Sequence, residues 1–160
     1  MVRIILSFIL LSTISLSSTV LTNPSNGEVL NYVHVPFEWL QEPNTDLYNL
    51  QVSTSETFDT IILDIYEKNI IYIEKNLLSW GDTYFWRVRT ISDNNDLSDW
   101  SDISFFTIGN AILDSLSIDI YNNDFIEDGL IIYHMGTNKK SVVINKFGNE
   151  IWNTENFTFR

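Results

Sequence analysis

Two histidines, His34 and His134, and 21 Asp and Glu residues are the side chains with the reach for proton or group transfer, since the sequence has no cysteine. A histidine acts as nucleophile or base when a second group orients it and cations hold the anion that develops. The neighbours of His134, Tyr133 and Met135, supply neither, and Lys139 and Lys140 read as a solvated loop. His34 stands between two valines and reads as a surface residue on the outward face of a strand. The acidic run Asp114, Asp119, Asp124, Glu127, Asp128 lacks the Asp-x-Asp-x-Asp-Gly spacing that gathers several oxygens round one calcium ion. Asp93-Asn94-Asn95-Asp96 fails in the same way. Paired carboxylates for glycoside chemistry need an apolar pocket to raise the pKa of one, and no such pocket can be placed. Trp80 and Trp100 are the candidates for stacking on a sugar ring, while Trp39 and Trp86 read as core. No catalytic residue, cofactor site or metal site is assigned.

The remaining chemistry is set by charge and by the N-terminus. The formal charge is −12, with 9 Lys and Arg and no basic cluster, which repels a phosphate backbone and argues against nucleic-acid binding. Without disulfides, stability must come from a packed core. Arg3, the apolar run Ile4–Leu11 and the small polar residues through Ser18 have the order of a secretory signal peptide, with cleavage after Ser17 or Ser18. The apolar run is short for a bilayer span; an uncleaved anchor is the alternative. No cysteine follows that could carry a lipid. The expectation is an exported protein, periplasmic, cell-surface or extracellular, with no stable membrane span after cleavage. Asn156-Phe157-Thr158 is a glycosylation sequon, relevant only to a eukaryotic secretory route.

Between Thr19 and Gly109, apolar and polar residues alternate, with turn clusters at intervals of roughly ten residues. Val35, Phe37 and Trp39 form one aromatic-rich face, with Pro36 expected at the strand's beginning. Tyr48, Leu50 and Val52 alternate with Asn49, Gln51 and Ser53, and Tyr84, Trp86 and Val88 oppose Arg87 and Arg89. Thr60–Tyr66, Ile70–Ile73 and Ile103–Ile108 are further strands; alternation leaves open which of Phe105 and Phe106 points inward. Counting one near Val20–Thr22, seven short strands without a helical period predict an all-β fold, an antiparallel β-sandwich.

The segments PSNGEVL, VPFEW, YNLQVS, LSWGDTYFWRVRT and LSDWSDISFFT, in that order and spacing, resemble a bacterial extracellular fibronectin type III domain over about Thr19–Gly109. The resemblance implies that the Tyr84 hydroxyl ties back to the corner near Leu78–Gly81 and that Arg87 and Arg89 stack on Trp100. Trp39, Tyr84, Trp86, Arg87, Arg89 and Trp100 are then structural residues. Trp100-Ser101 is one half of the tryptophan-serine signature of related receptor domains, so the ladder would be short.

After Gly109 the texture changes. The runs Leu130–Tyr133 and Ser141–Asn145, a turn at Phe147–Gly148 and a run ending at Trp152 read as the opening strands of a further domain. DGLII followed by VVINKFGNEIW is similar to the start of an arylsulfotransferase propeller, with Asn145 where that family has Asp. Both residues can accept a turn hydrogen bond. The resemblance implies an exported propeller that passes a sulfuryl group between phenols through a histidine in a later blade, so no catalytic residue is carried over. The expected organisation is a signal peptide at 1–18, the sandwich at 19–109 and an incomplete propeller start at 110–160. Phenolic sulfate esters would be substrates only of a downstream propeller. The alternative is a non-enzymatic adhesion or binding module whose partner is a cell-surface protein or glycan, with the tail as a hairpin packed on the sandwich.

Overall fold

Alternation places one face of each strand inward and the other outward, and this pattern organises the computed structural model, which describes residues 18–113, 129–135 and 140–154. Every element among the described residues is a strand: β1 (Leu21–Asn23), β2 (Glu28–Leu30), β3 (Val35–Trp39), β4 (Leu47–Ser53), β5 (Ile61–Glu67), β6 (Ile71–Glu74), β7 (Thr83–Ile91), β8 (Ser104–Ile108), β9 (Ile131–Met135), β10 (Lys140–Ile144) and β11 (Glu150–Asn153). They form sheets of order β1-β3-β6, β2-β8-β7-β4-β5 and β11-β10-β9. All pairings are antiparallel except β2 with β8. The signal-peptide reading of residues 1–17 and the acidic run at 114–128 lie outside the described residues.

The first two sheets enclose the main core. Phe37, Trp86, Val52, Val88, Phe106 and Ile108 are fully buried, with Trp39 and Tyr84 nearly so. Phe37 meets Trp86 and Phe106 edge-on at centroid separations of 5.2 and 5.8 Å, the geometry aromatic quadrupoles favour. The buried indole N–H groups of Trp39 and Trp86 have no hydrogen-bond partner among the described residues. Each leaves a polar desolvation cost of about 1–3 kcal/mol for packing to offset.

Eight strands, not seven, build this part. The N-terminal strand is split: β1 pairs with β3, and after Asn23-Pro24-Ser25-Asn26-Gly27 the chain crosses to pair β2 with β8 in the other sheet. Pro36 is the second residue of the central strand β3, paired with Ile73, and its carbonyl accepts a hydrogen bond from Asn23 Nδ2 at 2.7 Å. Alternation between Phe105 and Phe106 is settled by β7. Tyr84 is opposite Phe106 on the core face, whereas Phe105 faces out beside Phe85.

Truncating Phe106 to Ala is therefore expected to cost about 3–5 kcal/mol by urea unfolding. Phe105→Ala, on the open face, should cost less than about 1 kcal/mol. Equal losses would contradict the assigned facing of β8.

Candidate functional site

Strand β4 is buried on both faces. Tyr48, Leu50 and Val52 enter the core, but Asn49, Gln51 and Ser53, which alternation alone would send to solvent, are buried too. Two returning loops cover them. One brings Phe58 and the other Trp100 onto the outer face, where the Arg87 guanidinium lies 3.9 Å from the Phe58 ring centroid and 4.2 Å from that of Trp100. Arg89 stacks on Trp100, also at 4.2 Å. Arg87 Nε and Nη2 donate to Gln51 Oε1 at 3.1 and 2.8 Å, and Arg89 Nε donates to Asn49 Oδ1 at 3.1 Å. Both amides in turn donate to the Asp64 carboxylate, at 2.9 Å from Gln51 and 2.6 Å from Asn49. Burial and the adjacent Arg89 lower the Arg87 pKa, and Asp64 opposes them. Both guanidinium groups, both amides and the Asp64 carboxylate thus have partners, so the ladder is a clamp rather than an open cation site. Ser98 and Ser101 hold Trp100 in place, because Thr90 N–H and Val88 N–H donate to their hydroxyls at 2.9 and 3.0 Å.

Tyr84 closes the corner before β7. Ser79 N–H donates to its hydroxyl at 2.9 Å, and the hydroxyl donates to Asp82 Oδ2 at 3.3 Å. Burial, above all, raises the phenol's pKa. Trp39 and Trp86 are core side chains and touch no open surface.

The feature that distinguishes this chain from a bare sandwich is the seam along β11. Ile151 is buried within the sandwich core cluster, and Val33 N–H donates to its carbonyl at 3.0 Å. Asn153 is fully buried; its N–H donates to Asn31 O and its Nδ2 to Asn110 O, both at 3.0 Å. Asn31 Nδ2 donates back to Asn153 O in a close contact. The Glu150 carboxylate accepts from Ile112 N–H at 3.1 Å, Leu113 N–H at 2.8 Å and Asn153 Nδ2 at 2.6 Å. Trp80 Nε1 donates to Glu150 O at 3.0 Å. Three separate segments are thereby tied to one short strand.

The hairpin beyond the seam follows turn chemistry. Gly148 has φ of +83°, a conformation open to glycine, and Asn145 Oδ1 accepts from Phe147 N–H and Asn149 N–H, both at 3.0 Å. Val142 and Ile144 of β10 are buried. Strand β9, at the edge of this sheet, is different: Ile131, Ile132 and Tyr133 are 47, 73 and 46% exposed, and β10 is its only partner among the described residues. His134 lies on β9 with Nδ1 3.2 Å from Ser141 Oγ. No group of three metal-ligating side chains is found among the described residues.

His34 corrects the sequence reading. It precedes β3 rather than standing on a strand, and it lines a cleft between the sandwich and the β10–β11 turn with Lys75, Trp80 and Phe147. Burial and then Lys75 lower its pKa, with Glu74 opposing. Sequence alone could not place it there, because the covering turn lies more than a hundred residues further along the chain. The seam residues Asn31, Glu150 and Asn153 carried no local signal either.

Removing the Glu150 carboxylate leaves two backbone N–H groups and an amide without their acceptor. Glu150→Ala is expected to lower the unfolding free energy by about 2–3 kcal/mol in urea; an unchanged midpoint would count against the seam. Trp100→Ala, which removes two cation–π contacts, should cost about 1–2 kcal/mol by the same measurement.

Residues 40–111 match the family model described as "Rha78A-like, N-terminal immunoglobulin domain". Among solved structures, an α-L-rhamnosidase of Streptomyces avermitilis is similar at 18% identity and a TM-score of 0.45, covering 57% of this chain and 11% of its own. A Fn3-like protein from Clostridium thermocellum matches at 19% and 0.40, covering 59% of this chain and 88% of its own. An α-L-rhamnosidase of Dictyoglumus thermophilum matches at 15% and 0.47, covering 82% and 17%. The chain thus spans a small part of the length of both rhamnosidases. The curated proteins yield no match, and none of these similarities points to a sulfotransferase. No helix among the described residues is long and apolar enough to cross a membrane. The sandwich is of the immunoglobulin and fibronectin type III kind.

Proposed function

We propose that this chain is an N-terminal, non-catalytic part of an exported multidomain protein, whose sandwich holds a following β domain in fixed orientation. The seam carries this reading. A flexible spacer would need no buried Asn153 and no Glu150 carboxylate saturated by backbone N–H groups. The family match supports the placement, because it is to an N-terminal immunoglobulin domain. The apolar side chains of β9, which has no partner but β10 among the described residues, support a sheet that continues, since an exposed apolar edge strand is normally paired or covered.

The finer form of the proposal is that the following domain is an arylsulfotransferase-like propeller, on the pattern DGLII…VVINKFGNEIW at residues 128–152. Its chemistry would then belong to later blades, and the chain as it stands would be inactive. A non-enzymatic adhesion or carbohydrate-binding module is the second reading, and the cleft beside Trp80 favours it.

Reading the gene past Arg160 separates the two. Further repeats of the Asp-x-x-Gly-x-x-x-Trp kind, interleaved with histidine and arginine, are expected, and the full-length protein should transfer sulfate from p-nitrophenyl sulfate to a phenol. An immediate stop codon would sink the multidomain reading. Repeats without transfer would sink the sulfotransferase form alone.

A further inference from the structure

We propose that Asn26 is a self-modification site, kept intact by its bond to β8 and converted to aspartate and isoaspartate when β2 opens. Asn26-Gly27 is the one Asn-Gly pair in the sequence, and both residues are exposed to water. Asparagine is a thermolabile residue, and glycine after it leaves the attacking main-chain nitrogen unshielded by any side chain. In the open chain, Gly27 N gives its proton to solvent base and bonds to Asn26 Cγ. The Cγ–Nδ2 bond breaks, and the side-chain nitrogen leaves as ammonia after taking a proton from water. Water then opens the cyclic imide. Breaking the bond at Cγ gives aspartate; breaking it at the main-chain carbonyl gives isoaspartate, whose chain runs through the former side chain. Water is the only co-reactant.

The fold holds both reacting groups on a single residue of β8. Gly27 N–H donates to Phe105 O at 2.7 Å, and Asn26 Oδ1 accepts from Phe105 N–H at 3.1 Å. The nitrogen therefore keeps its proton and points at β8, while the side-chain carbonyl is fixed on a separate donor. The turn around them is closed twice: Glu28 N–H donates to Ser25 O at 3.0 Å, and Ser25 N–H donates to Glu28 Oε2 at 2.8 Å. Gly27 has φ of +79°. The pair stands immediately before β2, where the chain crosses between the two sheets, and β2 holds β8 through three residues only. Loss of that short pairing frees both groups together. An aspartate side chain can still accept from Phe105 N–H. Isoaspartate adds a methylene to the main chain ahead of Gly27, so the two bonds to Phe105 no longer share one register and the crossover is weakened.

The test ages the full chain in mildly alkaline buffer, folded and in denaturing urea, and counts aspartate and isoaspartate at position 26 by peptide mass spectrometry. Conversion should proceed in urea and be at least about tenfold slower in the folded chain, where it waits on local opening. Sub-denaturing urea should raise the folded-state rate in parallel with hydrogen exchange of the Gly27 amide, because one bond guards both. Leu30→Ala, which loosens β2, should raise the two by the same factor. The isoaspartate form, separated chromatographically, should exchange the Gly109 amide faster, since that amide bonds to Leu30 O. Absence of conversion in urea would overturn the site, and equal rates folded and unfolded would overturn the lock. A folded-state rate that does not follow Gly27 exchange would overturn the shared opening, and unchanged Gly109 protection would overturn the weakened crossover.

Discussion

The buried amide of Asn153 is the tie on which the arrangement depends. A fully buried amide without partners costs several kcal/mol, by roughly 1–3 kcal/mol for each lost hydrogen bond. Here its donors and acceptor reach Asn31, Asn110 and Glu150, one from the sandwich's N-terminal segment, one just past β8 and one from its own strand. Such a cluster is satisfied only in one docking geometry. Apolar contact through Ile151 supplies the free energy of docking, and the polar cluster supplies the register.

The same division of labour recurs in the sandwich. Rings on the inner faces of β3, β7 and β8 supply burial, while on the outer face one carboxylate, Asp64, organises two amides and two guanidinium groups beneath Trp100 and Phe58. Cation–π stacking lets the arginines be partly covered without a matching number of acids. The strand β4 is consequently covered on both sides.

Much of this was legible in the sequence. The aromatic faces of β3 and β7, the strands of the tail and the Gly148 turn follow from period-two alternation and from local turn chemistry, both read within a few residues. Where two apolar residues stood together, as at Phe105–Phe106, alternation had no contrast to read. The covered outer face of β4 was missed because loops around Phe58 and Trp100 return from elsewhere in the chain. The seam was invisible for a related reason: Asn31 and Asn153 are 122 residues apart, and neither residue differs locally from an ordinary loop asparagine. Alternation does not place His34 either, because it precedes β3 and lines the cleft beside the turn at Phe147.

A sandwich joined to a short sheet whose outer strand β9 has no partner but β10 among the described residues suits the positioning role proposed for it. That role requires the two parts to behave as one folding unit. Native-state hydrogen exchange tests this most directly. The amides of Asn153 and Val33, which bond across the seam, should open with the same free energy and denaturant dependence as that of Ser101, which bonds to Val88 inside the sandwich. Exchange of Asn153 and Val33 at a much lower free energy, independent of denaturant, while Ser101 stays protected, would contradict the account.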